Sequence, residues 1–423
     1  MERKLILYAL PLFALAVLLD FLIDVVRKTD RYRIKDSITS LSAGFVGTTA
    51  GLLTVGFAGL FYNGSFRLFH IFEIQDSIWY WVLAAFIYDF FYYWMHRAHH
   101  RINIFWAAHA THHNSEYFNF TTALRQSALA FLTTWPFFLP MALLGFSYEQ
   151  FLFGAGLSTL YGFFTHTEFV AYVPYVEYIF VGPSSHRVHH GINARYVDKN
   201  YGSILNIWDR MFGTYAFEKT EDPVCYGTIT PLNSFNPFWA NLSQYWFLLK
   251  DAFFCKSWRD KFLLWIKETG WRPVDRGAPS LNTDGEKRVQ SYIKFDTRVS
   301  LKEMYYVSFN FGLAALSTIH LMASAKSLSI LWVTIYILLL WMIMLSNAFF
   351  LEKKLYRFRF EIARLVLTGI FAVFAFKESD FQIDLIWFCT ICILSFVMAG
   401  GWVGFTLLGD KLNLKTTELS LHD

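Results

Sequence analysis

Long apolar runs recur along this chain, and they restrict its fold more than any other feature. A helix needs about 20 apolar residues to cross roughly 30 Å of hydrocarbon, and inside lipid the backbone must satisfy its own hydrogen bonds. Nine runs reach or approach that length, at residues 5–26, 40–62, 78–94, 128–146, 151–164, 304–323, 328–350, 363–376 and 385–408. Hydrophobic residues make up 55% of the 423 residues and charged residues only 17%, which excludes an ordinary soluble domain. We therefore expect an all-α integral membrane protein, a polytopic helical bundle of about nine apolar segments. The hairpin 128–164 is a candidate for a re-entrant segment.

Basic residues gather in two of the loops between these runs. They are Arg27, Lys28, Arg31, Arg33 and Lys35 in the first loop, and Lys353, Lys354, Arg357, Arg359 and Arg364 in a late one. The positive-inside rule places both loops in the cytoplasm. With nine crossings, residues 96–125, residues 166–299 and the C-terminus then lie inside. Arg3 and Lys4, before the first run, favour the reverse orientation.

The order of the runs divides the chain into three parts. We expect N-terminal membrane helices at 1–165, a cytoplasmic cap at 166–299 and a C-terminal four-helix membrane unit at 300–423. The cap mixes Trp, Tyr and Phe with Lys and Arg, which suits either helices lying at the membrane interface or a solvated cap packed over a site. In the last unit, His320 and the pair Cys389 and Cys392 are expected to be packing residues without chemistry.

Ten of the thirteen histidines fall between His96 and His190. They form three boxes, HRAHH at 96–100, HATHH at 109–113 and HRVHH at 186–190, together with the single residue His166. Residues three and four apart project from one face of a helix, so each box can converge on one point. Imidazole is a common metal ligand, and this number exceeds what one tetrahedral zinc can use. The pattern therefore predicts a two-metal site; a set of histidines without metal is disfavoured because clustered imidazoles raise one another's cost of ionisation.

The boxes follow the apolar runs rather than lying within them. The helix at 78–94 would carry His96 and His100 one turn beyond the lipid boundary, and the other boxes would meet them at the same cytoplasmic face. Nitrogen-rich sites suit Fe, Zn, Cu or Ni. A histidine-rich site beside lipid fits an apolar, unreactive substrate best, because two irons can activate dioxygen and attack a C–H bond.

The motifs HRAHH, HATHH, HTE and SSHRVHHG, followed by DKNYGSILNIWDRMFGT, resemble those of the fatty acid hydroxylase and sterol desaturase superfamily of membrane di-iron enzymes. Within it, the run HRAHHRINIFWAAHATHHNSEYFNFTTALRQS is most similar to the alkylglycerol monooxygenase subgroup. The resemblance covers at least residues 80–220. It implies an O2-dependent di-iron lipid monooxygenase that oxidises the ether-linked carbon of an alkylglycerol, giving a fatty aldehyde and glycerol. Two Fe ions, with tetrahydrobiopterin as reductant, are the implied cofactors.

The resemblance also assigns the metal ligands by position. They are His96, His100, His109, His112, His113, His166, His186, His189 and His190. His99 is expected beside the ligands or on the surface. Arg101 departs from the subgroup, which has a glutamate there, and so replaces a negative group near the metals by a positive one.

Four more polar residues near the boxes are candidates for a supporting role. Glu116, Glu168 and Asp209 can accept the imidazole N–H that faces away from a metal, or they can cap helices or pair with arginines at 125, 187 and 210. Asn114 is a candidate oxygen ligand.

Three other functions are weighed against the ether lipid. The first is a hydroxylase or desaturase of fatty acyl, sterol or aminolipid chains; a membrane haem electron carrier and a metal transporter are the alternatives of another class.

No nucleotide-binding glycine loop of the GxGxxG kind occurs, so we expect electrons from a pterin or a separate electron-transfer protein. Lipid, membrane and O2 are the other expected partners, with no nucleic acid. We expect the endoplasmic reticulum or a bacterial inner membrane as the location, with the active site on the cytoplasmic side.

Overall fold

The computed structural model describes residues 2–277, 281–378, 390, 393–397, 400 and 401. Over these residues the chain is helical, with four isolated β-bridges as its only extended pairing. The helices are α1 (Glu2–Arg27), α2 (Ile34–Phe69), α3 (Ile78–Arg101), α4 (Asn103–His113), α5 (Phe120–Ala123), α6 (Ala130–Thr133), α7 (Leu139–Leu143), α8 (Tyr148–Phe164), α9 (Val176–Ile179), α10 (Pro183–His189), α11 (Ile207–Met211), α12 (Pro237–Phe254), α13 (Trp258–Ile266), α14 (Leu281–Gln290), α15 (Leu301–Ser324), α16 (Ile330–Leu351) and α17 (Arg357–Glu378). Short 3-10 turns lie at Trp135–Phe138 and Val274–Arg276.

Two compact units make up the chain, Met1–Phe295 and Asp296–Asp423. All the histidine boxes lie in the first unit. The boundary predicted at residue 165 falls inside that unit and stays a prediction, as does the cytoplasmic cap.

Two helices of the described residues are long and apolar enough to cross a membrane, α15 and α16. The pair Ile34–Thr54 and Gly56–Phe69, bent by 52° within α2, makes a third if it counts as one span. These apolar helices indicate a membrane protein, but they do not confirm the nine expected crossings. Of the expected run 385–408, the structure describes only residues 390, 393–397, 400 and 401.

Local chemistry explains why two of the expected apolar runs differ from the helices of the structure. The run 128–146 is broken into α6, a 3-10 turn and α7, where Pro136 and Pro140 each lack the N–H of a continuing helix. The next run forms α8, whose 17 residues are at the lower limit of the roughly 17–25 residues that cross a membrane.

The close packing of α3 and α8 forms the scaffold of the first unit. Gly154 of α8 faces Tyr88 of α3, and a Cβ at Gly154 would lie 2.6 Å from the Tyr88 Cβ. The absence of a side chain at this position therefore sets the distance between the two helices. α3 runs unbroken from its apolar first half into the first histidine box, so packing against α8 also positions that box.

The second unit encloses a buried ion pair between three helices. Arg364, which the sequence placed among loop cations, lies fully buried on α17, and its Nε donates to Glu361 Oε2 at 2.8 Å. Ser346 Oγ donates to the same carboxylate at 2.6 Å, and the hydroxyl of Tyr306 is also bound to it. Charges within membrane helices are normally paired in this way. His320 Nδ1 lies 3.2 Å from the Tyr336 hydroxyl, whereas Cys389 and Cys392 are outside the described residues.

Candidate metal centre

Four elements bring the histidines together. The last turns of α3 carry the first box and α4 carries the second, with one extended residue, Ile102 (φ −126°, ψ 126°), between the helices. Asn103 holds this corner, because its Nδ2 donates to the Leu264 carbonyl at 2.8 Å. His166 follows the C-terminus of α8, and the third box lies on α10 and the residue after it.

Nine imidazoles meet in two groups. Within each group, one nitrogen of every ring lies within 4.8 Å of the corresponding nitrogens of the others. Group one consists of His96, His100, His109, His113 and His189, and group two consists of His112, His166, His186 and His190. All are buried except His109, which is partly buried. These are the nine positions that the resemblance assigns as ligands; their binding of metal stays a prediction.

Backbone carbonyls orient the rings. The Nδ1 atoms of His96, His112, His166 and His189 lie 2.7–3.1 Å from the carbonyl oxygens of Tyr201, Arg125, Gly162 and Lys199, respectively. A carbonyl can only accept, so each Nδ1 carries the proton and each Nε2 presents a lone pair to its group. This is the orientation that metal-binding histidines need.

The rings are also held in the neutral state. Burial lowers the pKa of His112 to about 4 and that of His189 to about 3. Burial and the neighbouring imidazoles lower the pKa of His96, His100 and His113 well below the usual range. Neutral imidazole is the form that ligates metals.

Two pairs of imidazole Nε2 atoms approach one another closely. His96 Nε2 lies 3.0 Å from His109 Nε2, and His186 Nε2 lies 3.0 Å from His166 Nε2. The buried Nε2 atoms of His100, His189 and His190 have no hydrogen-bond partner. With a metal–imidazole bond of about 2.1 Å, two nitrogens bound to one ion are at most about 4.2 Å apart, and both pairs lie within that limit. The arrangement therefore fits one metal ion in each group.

His99 stands apart from both groups. Its Nδ1 lies 2.8 Å from the Met95 carbonyl, and its Nε2 lies 2.9 Å from Thr133 Oγ1. Both ring nitrogens are thus used in hydrogen bonds within the fold, and the ring stacks on Phe105.

The acidic candidates contact groups other than the rings. Glu116 binds the Arg288 guanidinium and the Phe295 backbone N–H, and Glu168 lies 3.5 Å from Arg31. The N–H acceptors for the four oriented rings are carbonyls, not these carboxylates. The arginine partners expected from the sequence also differ, since Arg187 binds Glu218 and two carbonyls.

Asp209 contacts the backbone beside the centre and not a histidine ring. It accepts hydrogen bonds from Tyr201 N at 2.8 Å, Gly202 N at 2.7 Å and Thr214 Oγ1 at 2.7 Å. Because the Tyr201 carbonyl orients His96, this carboxylate positions the ring through the backbone.

The side chains of Asn114 and Arg101 also bind other residues of the fold. Asn114 Oδ1 accepts from Thr228 Oγ1 at 3.2 Å. Arg101 forms ion pairs with Asp198 at 3.1 Å and Glu268 at 3.0 Å, so two carboxylates compensate its positive charge.

Sequence reasoning missed Asp89. This buried side chain on α3 accepts from Ile204 N and Trp208 Nε1, both at 2.8 Å, and so fixes the segment that follows the third box. A lone acid in the aromatic run YDFFYYW is a signal that could have identified it, since an unpaired charge is not tolerated among apolar residues.

A cavity of about 480 Å³ reaches group one. His100, His113 and His189 of that group and His190 of group two form part of its wall. Sites for small organic ligands commonly have about this volume.

Comparison with known proteins relates this site to a family. Residues 81–214, which include all nine imidazoles, match the fatty acid hydroxylase family. Alkylglycerol monooxygenase of Danio rerio is 35% identical over 276 residues, 64% of this chain and 60% of the relative. Alkylglycerol monooxygenase of Homo sapiens is 31% identical over 280 residues, 66% of this chain and 62% of the relative. The chain thus spans about 60% of the length of these curated relatives, and no solved structure matches it. Residues 81–214 are therefore similar to the fatty acid hydroxylase family, within a longer region that is similar to the alkylglycerol monooxygenases.

Proposed function

We propose that this protein is a membrane di-iron monooxygenase that hydroxylates a lipid C–H bond, with the ether-linked carbon of an alkylglycerol as its target. The observation that carries the proposal is the convergence of nine neutral imidazoles in two adjacent groups. An oxidoreductase is supported by the fatty acid hydroxylase domain, and the relatives are named for the alkylglycerol they oxidise. Iron is favoured over zinc because hydrolysis would not need this number of nitrogen ligands.

When bound, two irons supply the activation of dioxygen and the attack on a C–H bond. The chain's own residues hold the Nε2 lone pairs in place, through Nδ1 bonds to carbonyls such as those of Tyr201 and Lys199. Aromatic rings exclude water from group two, where Phe118 stacks on His166 at 5.2 Å and on Tyr226 at 5.1 Å. A dry site limits side reactions of the oxidant.

The overall reaction balances with an external reductant. One oxygen atom of O2 enters the C–H bond and the other leaves as water, with two electrons and two protons supplied. Hydroxylation of an ether-bearing carbon gives a hemiacetal, which breaks down to a fatty aldehyde and glycerol. We propose tetrahydrobiopterin or a separate electron-transfer protein as the electron donor.

Hydroxylation or desaturation of fatty acyl, sterol or aminolipid chains is the second candidate, and the name of the matching family favours it. The compact grouping of the imidazoles argues against a transporter, whose histidines would be spread along a path. The basic residues of the loops support a cytoplasmic active site in the endoplasmic reticulum or a bacterial inner membrane.

The test is metal analysis of the purified protein with an aerobic assay for fatty aldehyde, using alkylglycerol with and without tetrahydrobiopterin. We expect about two irons per chain and aldehyde only when a reductant is present. Protein that holds zinc alone and forms no aldehyde with any reductant would contradict the proposal. His112→Ala should remove activity and lower the metal content, whereas His99→Ala should retain both, because His99 lies outside the two groups.

A further inference from the structure

Two consecutive helices of the first unit, α12 and α13, expose large apolar side chains. On α13, Trp258, Phe262 and Ile266 follow one another at intervals of four residues, and they are 83%, 65% and 50% exposed. On α12, Trp246 and Phe253 are exposed as well. Residues four or seven apart project from one face of a helix, so these side chains form a continuous row on each helix. We call these two exposed rows the aromatic platform.

The opposite faces of the two helices pack against α4, the helix of the second histidine box. The Ala240 carbonyl of α12 accepts from Thr111 Oγ1 at 3.2 Å and from Asn114 Nδ2 at 3.3 Å. The Leu264 carbonyl of α13 accepts from Asn103 Nδ2 at 2.8 Å. The aromatic platform therefore faces away from the metal centre and takes no part in holding metal.

The aromatic platform lies beside the predicted membrane spans and not within one. Neither α12 nor α13 is among the helices of the described residues that could cross a membrane. The Lys267 carbonyl, directly after α13, accepts from Asn103 N at 3.0 Å, which fixes this end at the corner between α3 and α4. That corner follows the apolar run 78–94 of α3. An exposed apolar patch on helices that do not cross a membrane marks a contact with a membrane surface or with another protein.

Cations interleaved with the aromatic rings favour the membrane surface. Residues 237–267 have a net charge of +3, because two carboxylates stand against Lys250, Lys256, Arg259, Lys261 and Lys267. The Lys261 ammonium lies 5.0 Å from the centroid of the Trp258 ring. A protein that covered these rows would have to remove the cations from water. At a bilayer surface, the rings enter the boundary of the acyl chains while the cations stay with anionic headgroups.

We propose that the aromatic platform is a membrane-surface anchor that selects anionic phospholipids. The two helices lie along the bilayer, with their rings between headgroups and acyl chains and their cations on the headgroups. The anchor concerns the lipid around the protein and not its substrate, and it does not depend on the metal chemistry. Because α4 lies directly behind the platform, the second histidine box is held about one helix diameter, ~10 Å, from the membrane surface.

Spin-label accessibility tests where the aromatic platform lies. The four native cysteines of the full-length protein are replaced by alanine, and a nitroxide is attached at Phe253→Cys or Phe262→Cys in nanodiscs of phosphatidylcholine and phosphatidylserine. Oxygen concentrates in hydrocarbon, whereas a nickel chelate stays in water. We expect both labels to collide more with oxygen than with the chelate. Glu221→Cys is the control, since its side chain is 69% exposed and charged, and its label should show the reverse.

Lipid selectivity tests the role of the cations. Spin-labelled phosphatidylserine and phosphatidylcholine are compared by the fraction of each whose motion the protein restricts. Replacing both Arg259 and Lys261 by Gln should lower the preference for phosphatidylserine about twofold to fivefold, because cations near an anionic surface attract it. Replacing both Arg195 and Lys219 by Gln is the matched control. It removes the same charge from exposed side chains outside the platform and should leave the preference unchanged.

The outcomes separate the anchor from other occupants of the platform. Labels at 253 and 262 that meet the nickel chelate more than oxygen would show a solvated surface, and labels shielded from both would show a protein partner or a second copy. Either result would overturn the anchor. Equal effects of the two double variants on lipid preference would overturn the selection of anionic headgroups. Labels accessible to oxygen in a protein that forms no aldehyde would contradict the proposed function alone and leave the anchor supported.

Discussion

Replacing Asp209 by Asn should weaken both the fold and metal binding, although this residue touches no imidazole in the structure. Asp209 Oδ1 accepts from Tyr201 N and Thr214 Oγ1, and Oδ2 accepts from Gly202 N. An amide offers one oxygen, so the NH2 group must face at least one of these backbone donors. The side chain is fully buried, and water cannot take over the lost bond.

The expected fall in the free energy of unfolding follows from the loss of that one hydrogen bond. A hydrogen bond to a charged group contributes about 1.5–3 kcal/mol, and an unsatisfied buried donor adds to the cost. We therefore expect the free energy of unfolding to fall by about 2–4 kcal/mol. The Tyr201 carbonyl, which orients His96, would lose its support, and loss of such support typically lowers metal affinity about 10- to 100-fold.

Two measurements on the purified protein check this expectation. Denaturant unfolding gives the change in stability, and competition with a chelator gives the change in metal affinity. Asp222→Asn is the matched control. The Asp222 side chain is 33% exposed and accepts from Asn193 Nδ2, so its replacement should cost under about 1 kcal/mol. An Asp209→Asn protein within ~0.5 kcal/mol of the unmodified one, with the same metal affinity, would refute positioning through the backbone.

Other changes should give distinct results. Gly154→Ala should lower stability by about 1–3 kcal/mol, because its Cβ would lie 2.6 Å from the Tyr88 Cβ. Gly64→Ala, where nothing lies within 4 Å, is its control in thermal unfolding, and equal effects would argue against close packing of α3 and α8. Arg187→Gln should destabilise by about 3–5 kcal/mol, because it removes a buried partner of Glu218 and the donor to the Thr167 and Val170 carbonyls. Unchanged denaturant unfolding would contradict that role. Chelation should lower the Tm and ferrous ions should restore it; a Tm that does not respond would argue against metal in the native protein. Without metal, stability should fall as the pH drops from about 6.5 toward 4, because unfolded histidines bind protons while the pKa of His112 is held at about 4. Constant stability across that range would show that these rings are not buried neutral.

The sequence predicted the membrane class and the clustering of the nine histidines, but it did not predict the partners that orient the rings. The histidine boxes predicted that the rings would converge, but not which rings share a group. Asp209 was recognisable as a supporting residue, but its route through Tyr201 depends on a segment that returns to α3 more than 100 residues after the first box. Backbone carbonyls carry no side-chain signature, so the orientation of the rings could not be read from residue types.

Apolar composition predicted nine crossings, of which the described residues support two or three, and hydropathy differs from the structure for a related reason. Hydropathy shows which solvent a segment tolerates, but it does not show whether the segment forms one unbroken helix. Proline interrupts 128–146, and the 17 residues of α8 are at the lower limit of the roughly 17–25 residues that cross a membrane. Arg364 shows the converse, since a cation that sequence assigns to a loop is buried in a helix when Glu361 is one turn away.

The sequence alone determined that nine imidazoles would be available and that they would meet beside apolar helices. Only the tertiary structure decided how they divide. The groups do not follow the boxes: His109 and His113 belong to group one, whereas His112 belongs to group two. Residues four apart project from one face of a helix. A residue at another angle around the helix axis projects toward different neighbours. Which neighbour it meets depends on how α4, α8 and α10 pack, and that packing is a property of the whole chain.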